Sequence, residues 1–432
     1  VQIINDMATI KIDGEKISVR SGENLLAVAK QNNIFIPSLC YHRKLTPTGA
    51  CRLCIVKIKD QRGFIAACTV SVSDGMEVTA FDAELEEARR YLLDYLLSEH
   101  NEASDESYDD EFKSLVARYG LDDPAKRQFP SLWKSLGYPL DDSSPVLTYD
   151  ASKCVKCFRC IKACDEVQGK KVLSFANRGI TSYIIGGFGV WGESECDGCG
   201  ECIQLCPTGA IVEKPYRDVL KTATADSSVN STCPYCGVGC QIELKVKENR
   251  IVRVNGAEGL KPNDGRLCIK GRFGYDYVGS PDRLTRPLIK RNGQFVETDW
   301  DDALDFVAAK FNAIKEKYGN DALAGYASAK CTNEDNYIFQ KFIRTAFGTN
   351  NVDYCTRLCH ASTVTAMLRA FTGYAVVLAD GQRELAEALV VLGLQVLVQG
   401  IEILHGALAE GVLADDDTTL VVLDSGREDL GR

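Results

Sequence analysis

Residues 7–33, MATIKIDGEKISVRSGENLLAVAKQNN, alternate apolar and polar positions around Asp13-Gly14 and then change to helical spacing. That pattern predicts a β-hairpin followed by a helix. Between Ala83 and Glu99, leucines and tyrosines recur at helical intervals, which predicts an amphipathic helix ending at His100. Alternation returns in QIELKVKENRIVRVNGAEG, residues 241–259, and predicts a strand–turn–strand with its turn at Glu-Asn. The stretch 122–148 carries four prolines and mixed charge, and reads as a linker. The most apolar run, Ala388–Ala414, is interrupted by Gln395, Gln399, Glu402, His405 and Glu410. A membrane span needs about 20 predominantly apolar residues, so a strand–helix–strand in a soluble core is expected here.

At 432 residues the chain exceeds one core, and two to four domains are expected. Its formal charge of -10 excludes the basic footprint of a nucleic-acid binder and suits docking to other proteins. A natural start at Met7 would leave six residues as a leader, and no secretory signal pattern precedes it. Clustered Cys-x-x-Cys without a signal points to metal binding in a reducing compartment, hence a cytoplasmic location.

Sixteen of the nineteen cysteines fall into four complete ligand sets. Cys40, Cys51, Cys54 and Cys68 follow C-x10-C-x2-C-x13-C behind the predicted hairpin and helix, as expected for a [2Fe–2S] centre. Gly49 and Ala50 leave room for backbone amides to approach the sulfides. Cys154, Cys157, Cys160 and Cys164, then Cys196, Cys199, Cys202, Cys206 and Pro207, write the two-cluster ferredoxin run twice. In that pattern the fourth cysteine of each run serves the other cluster. One [4Fe–4S] cluster should then use Cys154, Cys157, Cys160 and Cys206, and the other Cys196, Cys199, Cys202 and Cys164. Asp165 stands where the first run would usually carry proline. Cys233, Cys236, Cys240 and Cys268 form the fourth set, C-x2-C-x3-C-x27-C, for a third [4Fe–4S] cluster, with zinc the competing metal. After His100, the H-x3-C-x2-C-x5-C pattern of a further cubane has Ser104, Ser107 and Lys113 at its cysteine positions. That cluster should be absent, leaving His100 an ordinary surface or helix-end histidine.

CPYCGVGC, GRLCIKGRFGYDYV and SAKCTNEDNYIFQKFIRTAFGTNNVDYCTRLCHASTV closely resemble molybdopterin-dependent oxidoreductases, in particular the catalytic subunit of NAD-linked formate dehydrogenases. The N-terminal half of such subunits is similar to the large iron–sulfur subunit of respiratory complex I. The resemblance covers about residues 8–365 and fades after Val364. It implies that Cys359 ligates molybdenum, that His360 assists proton handling, and that Lys270 lies between the last cluster and the pterin. Chemically, a thiolate is a strong donor to a high-valent metal, and an imidazole exchanges protons near neutral pH. Cys331 and Cys355 match positions that are not ligands.

The implied fold is a multi-domain α+β chain. A β-grasp [2Fe–2S] domain spans 7–82, a helical segment without its cluster 83–121, and the linker 122–148. A two-cluster ferredoxin domain at 149–215 precedes a small β-rich [4Fe–4S] domain at 228–283. A partial, divergent α/β molybdopterin domain at 284–432 ends the chain, with TTLVVLDSG as a later strand behind the helix GIEILHGALAEGV. The implied cofactors are one [2Fe–2S] cluster, three [4Fe–4S] clusters and a molybdenum or tungsten bis-molybdopterin guanine dinucleotide. One βαβ unit cannot enclose two pterins, so the chain as given is not expected to hold that cofactor alone.

Two functions follow. One is the iron–sulfur and molybdenum-proximal part of a formate dehydrogenase, interconverting formate and CO2 with a flavin- or iron–sulfur-bearing NAD(P)-linked subunit. The other is a non-catalytic relay in a flavin-based complex linking NAD(P)H, ferredoxin or hydrogenase subunits. Electrons would run from molybdenum through the Cys233 cluster to the ferredoxin pair, with the Cys40 centre as a terminal or branching station.

Overall fold

In the computed structural model, residues 7–102, 110–214 and 225–370 are described. The chain forms two compact units, one comprising residues up to Ser231 together with Gln241–Asp276, the other Thr232–Cys240 with the residues from Tyr277 onward.

The first unit begins with the expected hairpin, β1 (Met7–Ile12) and β2 (Glu15–Arg20), in antiparallel register. Helix α1 (Leu25–Gln31) follows, started by Asn24, whose side chain accepts from the Ala27 N–H. The same Asn24 donates through Nδ2 to the Cys68 carbonyl, 2.6 Å away, and so ties the helix start to the last cysteine of the first set. Strands β3 (Ile55–Ile58), β4 (Ile65–Ala66) and β5 (Glu77–Thr79) complete a sheet in the order β2-β1-β5-β3-β4, with β1 and β5 parallel. Alternate residues of these strands (Ile10, Ile12, Val56, Val78) pack on Leu25, Leu26 and Val28 of α1.

Helix α2 (Ala83–Ser98), capped by Asp82, stops two residues before the expected end at His100. Helix α3 (Glu111–Arg118) returns beside it, and Leu93, Leu97, Phe112 and Leu115 form one core with Leu39, Cys40, Cys51 and Cys157. The helical segment therefore packs directly on two thiol loops. His100 departs from expectation: it is buried, edge-on to Phe112 with ring centroids 4.8 Å apart. The cause is local, because the chain turns into the protein at the end of α2 and the Asn101 N–H donates to the Ser152 carbonyl. Ser104 and Ser107 lie outside the described residues, whereas the Lys113 N–H donates to Asp110 and caps α3.

The stretch expected as a linker carries structure of its own, because its polar turns alternate with residues that pair or pack. It holds the short α4 (Trp133–Leu136) and β6 (Leu140–Asp141), and Val146 is buried. Strand β6 pairs with β7 (Leu147–Asp150), which starts inside that stretch.

The ferredoxin region consists of α5 (Arg159–Lys162), the hairpin β8 (Leu173–Ala176) and β9 (Tyr183–Gly186), α6 (Glu201–Gln204) and β10 (Ile211–Glu213). Strand β10 pairs with β7 in the order β10-β7-β6. A second small sheet has the order β11-β12-β13, from β11 (Ser227–Thr232), β12 (Gln241–Lys247) and β13 (Arg250–Gly256). Its predicted turn falls on Glu248 and Asn249, both left-handed at φ 48 and 60°. Helix α7 (Ile269–Phe273) follows Cys268 and ends the unit's elements.

The second unit contains the hairpin β14 (Leu288–Arg291) and β15 (Gln294–Glu297), then α8 (Trp300–Tyr318). Strand β16 (Gly325–Ala327), α9 (Asn333–Phe342) and β17 (Val352–Tyr354) form a β-α-β crossover with parallel strands, the opening of an α/β layer. Leu323, Ile343 and Phe347 are its core, with Phe311 and Phe339 against them. Helices α10 (Thr356–Cys359) and α11 (Ala361–Ala370) complete the described chain. The expected strand–helix–strand at Ala388–Ala414 and the strand TTLVVLDSG lie outside the described residues. Among the described residues no helix is long and apolar enough to cross a membrane.

Burial makes His100 an acid-sensitive point. Desolvation holds its pKa at about 4, below the ordinary 6.5, against smaller effects from Lys153, Glu102 and Asp150. The unfolded chain therefore takes up the proton first. Stability should fall as pH drops through 6.5 and the loss should level off below 4, by about 3 kcal/mol in total. Urea unfolding of His100→Gln between pH 7 and pH 4 should show a flatter dependence than the parent chain; equal slopes would contradict a neutral buried imidazole.

Candidate metal centres

The first set is a closed nest. Cys40, Cys51, Cys54 and Cys68 are all buried. Cys40 shares side-chain hydrogen bonds with Cys51 and Cys68, and Cys54 with Cys68. Those contacts pull the Cys40 pKa far down, while the same contacts and burial push Cys68 far up. The Leu39 N–H lies 3.4 Å from the Cys51 sulfur. Gly49 has φ +63°, and a Cβ there would lie 3.1 Å from the Thr69 methyl, so glycine fits this turn with the least strain.

The ferredoxin region repeats one backbone device. The turn before α5 has Lys156 at φ 53° and Phe158 at 70°; the turn before α6 has Gly198 at 67° and Gly200 at 73°. The left-handed steps let N–H groups point at sulfur, and the Lys156 N–H lies 3.4 Å from the Cys154 sulfur. A cavity is lined by Cys154, Cys157, Cys160 and Cys206 with Tyr149 and Ile184 among its apolar walls. Cys206 comes from the second run and faces the three cysteines of the first. Reciprocally, Cys164 acts electrostatically on Cys196 and Cys202. Its sulfur accepts from the Val172 N–H at 3.3 Å. Burial pushes Cys154 and Cys199 up to about 11, and Cys160 and Cys202 well above their ordinary value.

Among the described residues no three His, Cys, Asp or Glu side chains converge as ligands of one ion do. Around the cavity the thiols ring a space instead. Thiols enclosed this way are poor acids by themselves, and iron supplies the positive charge that makes the thiolate the stable form. The donor sets and the enclosed cavity fit iron–sulfur clusters.

Of the fourth set, Cys233, Cys236 and Cys240 belong to the second unit and Cys268 to the first. The Cys233 N–H donates to the Cys240 carbonyl at 2.8 Å, which closes the loop. Asn333, the first residue of α9, donates to the Gly237 carbonyl at 2.7 Å, and a Cβ at Gly237 would stand 2.7 Å from the Asn333 side-chain oxygen. Cys268 is the residue before α7, and Lys270 is exposed on that helix. In the second unit, Cys359 and His360 are exposed at the α10–α11 junction. Cys355 accepts from the Ala329 N–H and Cys331 donates to the Ser328 carbonyl, so both serve the 328–331 loop.

Cysteine spacing does not reveal the charged residues that stand between the thiol loops. Arg159 and Glu201 occupy the same place in the two runs, just before the third cysteine, and both are buried. Arg159 donates to the Tyr41 carbonyl, beside Cys40, and to Glu111. Glu201 is flanked by Lys44 and Arg272. Lys44 also pairs with Glu258, and Arg43 pairs with Glu258 and Asp264, so the loop after Cys40 is bound to the loop before Cys268. The only cue in the sequence was a charge inside each Cys-x2-Cys.

Four families match consecutive stretches of the sequence. These are a 2Fe-2S iron-sulfur cluster binding domain (residues 5–82), the ferredoxin-like domain of NADH-quinone oxidoreductase subunit 3 (144–212), the molybdopterin oxidoreductase Fe4S4 domain (226–280) and molybdopterin oxidoreductase itself (283–425). The chain carries iron–sulfur cluster domains followed by a molybdopterin oxidoreductase domain. The family match continues to residue 425, past Val364 where the resemblance was expected to fade.

Similar proteins include the alpha subunit of an NADPH-Fe(3+) oxidoreductase of Geobacter sulfurreducens, 36% identical over 85% of this chain and 42% of the relative. One of the NADH-quinone oxidoreductase subunits of Rhizobium meliloti is 34% identical over 81% of this chain and 40% of its own length. A Staphylococcus aureus protein, named provisionally as a formate dehydrogenase, is 30% identical over 83% of this chain and 40% of its own. The chain thus spans about two fifths of these relatives.

Proposed function

We propose that this chain conducts electrons between a molybdopterin site, where formate and CO2 interconvert, and an NAD(P)-linked partner bearing flavin or iron–sulfur centres. The observation that carries the reading is the crossed arrangement of the ferredoxin thiols, with Cys206 in the cavity of Cys154, Cys157 and Cys160. Two centres interlocked in this way lie close together, as a conduit for single electrons requires. The sixteen cysteines hold one [2Fe–2S] and three [4Fe–4S] clusters, which when bound pass electrons one at a time.

The chain's own residues supply the rest. The apolar walls around Cys154 and Cys206 exclude water and prevent stray hydrolysis of the centre. Arg159 and Lys44 place positive charge beside thiol loops. Cys359 offers a thiolate to molybdenum or tungsten, His360 accepts the proton that formate releases, and Lys270 places a cation on the path towards Cys268. Formate oxidation yields CO2, one proton and two electrons, so two single-electron passages clear each turnover.

The decisive test is an inventory of iron, molybdenum, tungsten and pterin in the assembled complex, followed by anaerobic addition of formate. Formate should bleach the visible absorbance of the parent protein. In Cys359→Ser, bleaching by formate should be lost while bleaching by dithionite persists. Iron without molybdenum, tungsten or pterin would overturn the formate reading and favour a relay joining NAD(P)H to ferredoxin or hydrogenase subunits.

A further inference from the structure

Arg272 is wholly enclosed, with 2% of its surface exposed, yet it is a charged residue on the short helix α7. Its guanidinium Nε donates to the Cys199 carbonyl at 2.7 Å, and Nη1 donates to the Gln204 side chain at 2.8 Å. Nη2 pairs with Glu201 at 3.3 Å. Its backbone N–H donates to the Cys268 carbonyl at 3.2 Å. One residue therefore touches the main chain of two proposed ligands from different sets, Cys199 and Cys268. The fit around it is tight. A Cβ at Gly200 would stand 2.1 Å from the Arg272 Cδ, and one at Gly198 would stand 3.0 Å from the Ile269 Cδ1.

Burying an arginine this deeply is costly unless its hydrogen bonds and charge are satisfied, and here every terminal nitrogen faces an acceptor of the Cys199–Gln204 turn. Structural anchoring alone could be achieved by apolar contact. The fork is aimed instead at a thiol loop, where hydrogen bonds and local charge set the potential of a cluster.

Resting on the function proposed above, we infer that Arg272 is a positioning residue for electron passage between the ferredoxin centre at Cys199 and the centre at Cys268. It fixes the separation of the two ligand loops and supplies a hydrogen-bonded connection from the Cys199 carbonyl to the Cys268 carbonyl. It also places a cation beside the Cys199 loop, favouring the reduced state there. One electron crossing this connection oxidises the donor by one and reduces the acceptor by one; no bond breaks and no proton moves.

The test uses the assembled, cluster-loaded complex, mixed with NADH or NADPH and frozen at millisecond intervals for paramagnetic resonance. Two variants separate path from charge. Arg272→Lys keeps the cation and loses the fork. Arg272→Gln combined with Glu201→Gln removes both charges, so that no carboxylate is stranded if the single variant fails to fold. In both, reduction of the centre assigned to Cys268 should lag by about tenfold or more, the scale on which hydrogen-bond partners of metal ligands act. In Arg272→Lys the midpoint of the Cys40 centre should stay unchanged. A loaded Arg272→Lys protein whose Cys268 centre is reduced as fast as in the parent would overturn the inference. A parent protein with no signal that Cys268→Ser removes would instead overturn the function proposed above.

Discussion

Changing Cys206 to serine should extinguish the same [4Fe–4S] signal as changing Cys154, although the two lie in different cysteine runs. Changing Cys164 should extinguish the signal that Cys196→Ser removes. The reason is geometric: Cys206 lines the cavity of the first run, and Cys164 acts on the thiols of the second. Serine keeps the volume but offers an oxygen far harder than a thiolate and seldom ionised, so the loss should be of about four irons per chain rather than a weakened site. Paramagnetic resonance of the reduced single variants, with iron analysis, reads the pairing directly. Should Cys206→Ser instead behave like Cys202→Ser, each run would hold its own cluster and the interlocked conduit would be wrong.

Arg159→Met should markedly destabilise the chain although it removes no cysteine. The Arg159 side chain is 3% exposed and holds the Tyr41 carbonyl at 2.9 Å, with Glu111 at 2.6 Å and 2.9 Å through both carboxylate oxygens. Tyr41 follows Cys40 in the chain, and Arg159 itself precedes Cys160, so one guanidinium joins two thiol loops. Removing one partner of a fully buried pair costs about 3–5 kcal/mol. Glu111 is 52% exposed and can return to water. The remaining cost is the orphaned carbonyl and lost packing, about 2–3 kcal/mol. Denaturant unfolding should record it, and the midpoints of the Cys40 centre and of the centre at Cys160 should both move negative as a nearby cation is lost. Glu111→Gln should cost less than half as much. A loss under about 1 kcal/mol for Arg159→Met would mean that the guanidinium joins nothing.

Most of the local structure was legible because its physics is local. Alternation around Asp13-Gly14 had one way to fold, and strand β1 with its partner forms as expected. Helix α2 starts at an Asp cap and presents Leu85, Leu93 and Leu97 to the interior, as its spacing required. His100 stands at the end of α2, as one expectation had it, but is not on the surface, because its burial depends on where Phe112 and Ser152 arrive, residues 12 and 52 positions further on, a matter outside any window of sequence. The stretch 122–148 has the composition of a linker yet carries elements for the same reason. Its prolines signal turns, but the partner that makes a strand of Leu140–Asp141 is β7, which the composition of the stretch does not reveal.

By itself, then, the sequence determined which atoms could bind iron and in what groupings, since thiolate chemistry and short chain spacings are covalent properties. Only the tertiary structure decided what stands between the groupings. Arg159, Glu201, Arg272 and Lys44 look like ordinary surface charges in the sequence, and they are buried because the loops they join are brought together by folding. The energy of such a charge depends on its desolvation and on partners up to 214 positions away, as from Lys44 to Glu258, and neither quantity is written in neighbouring residues.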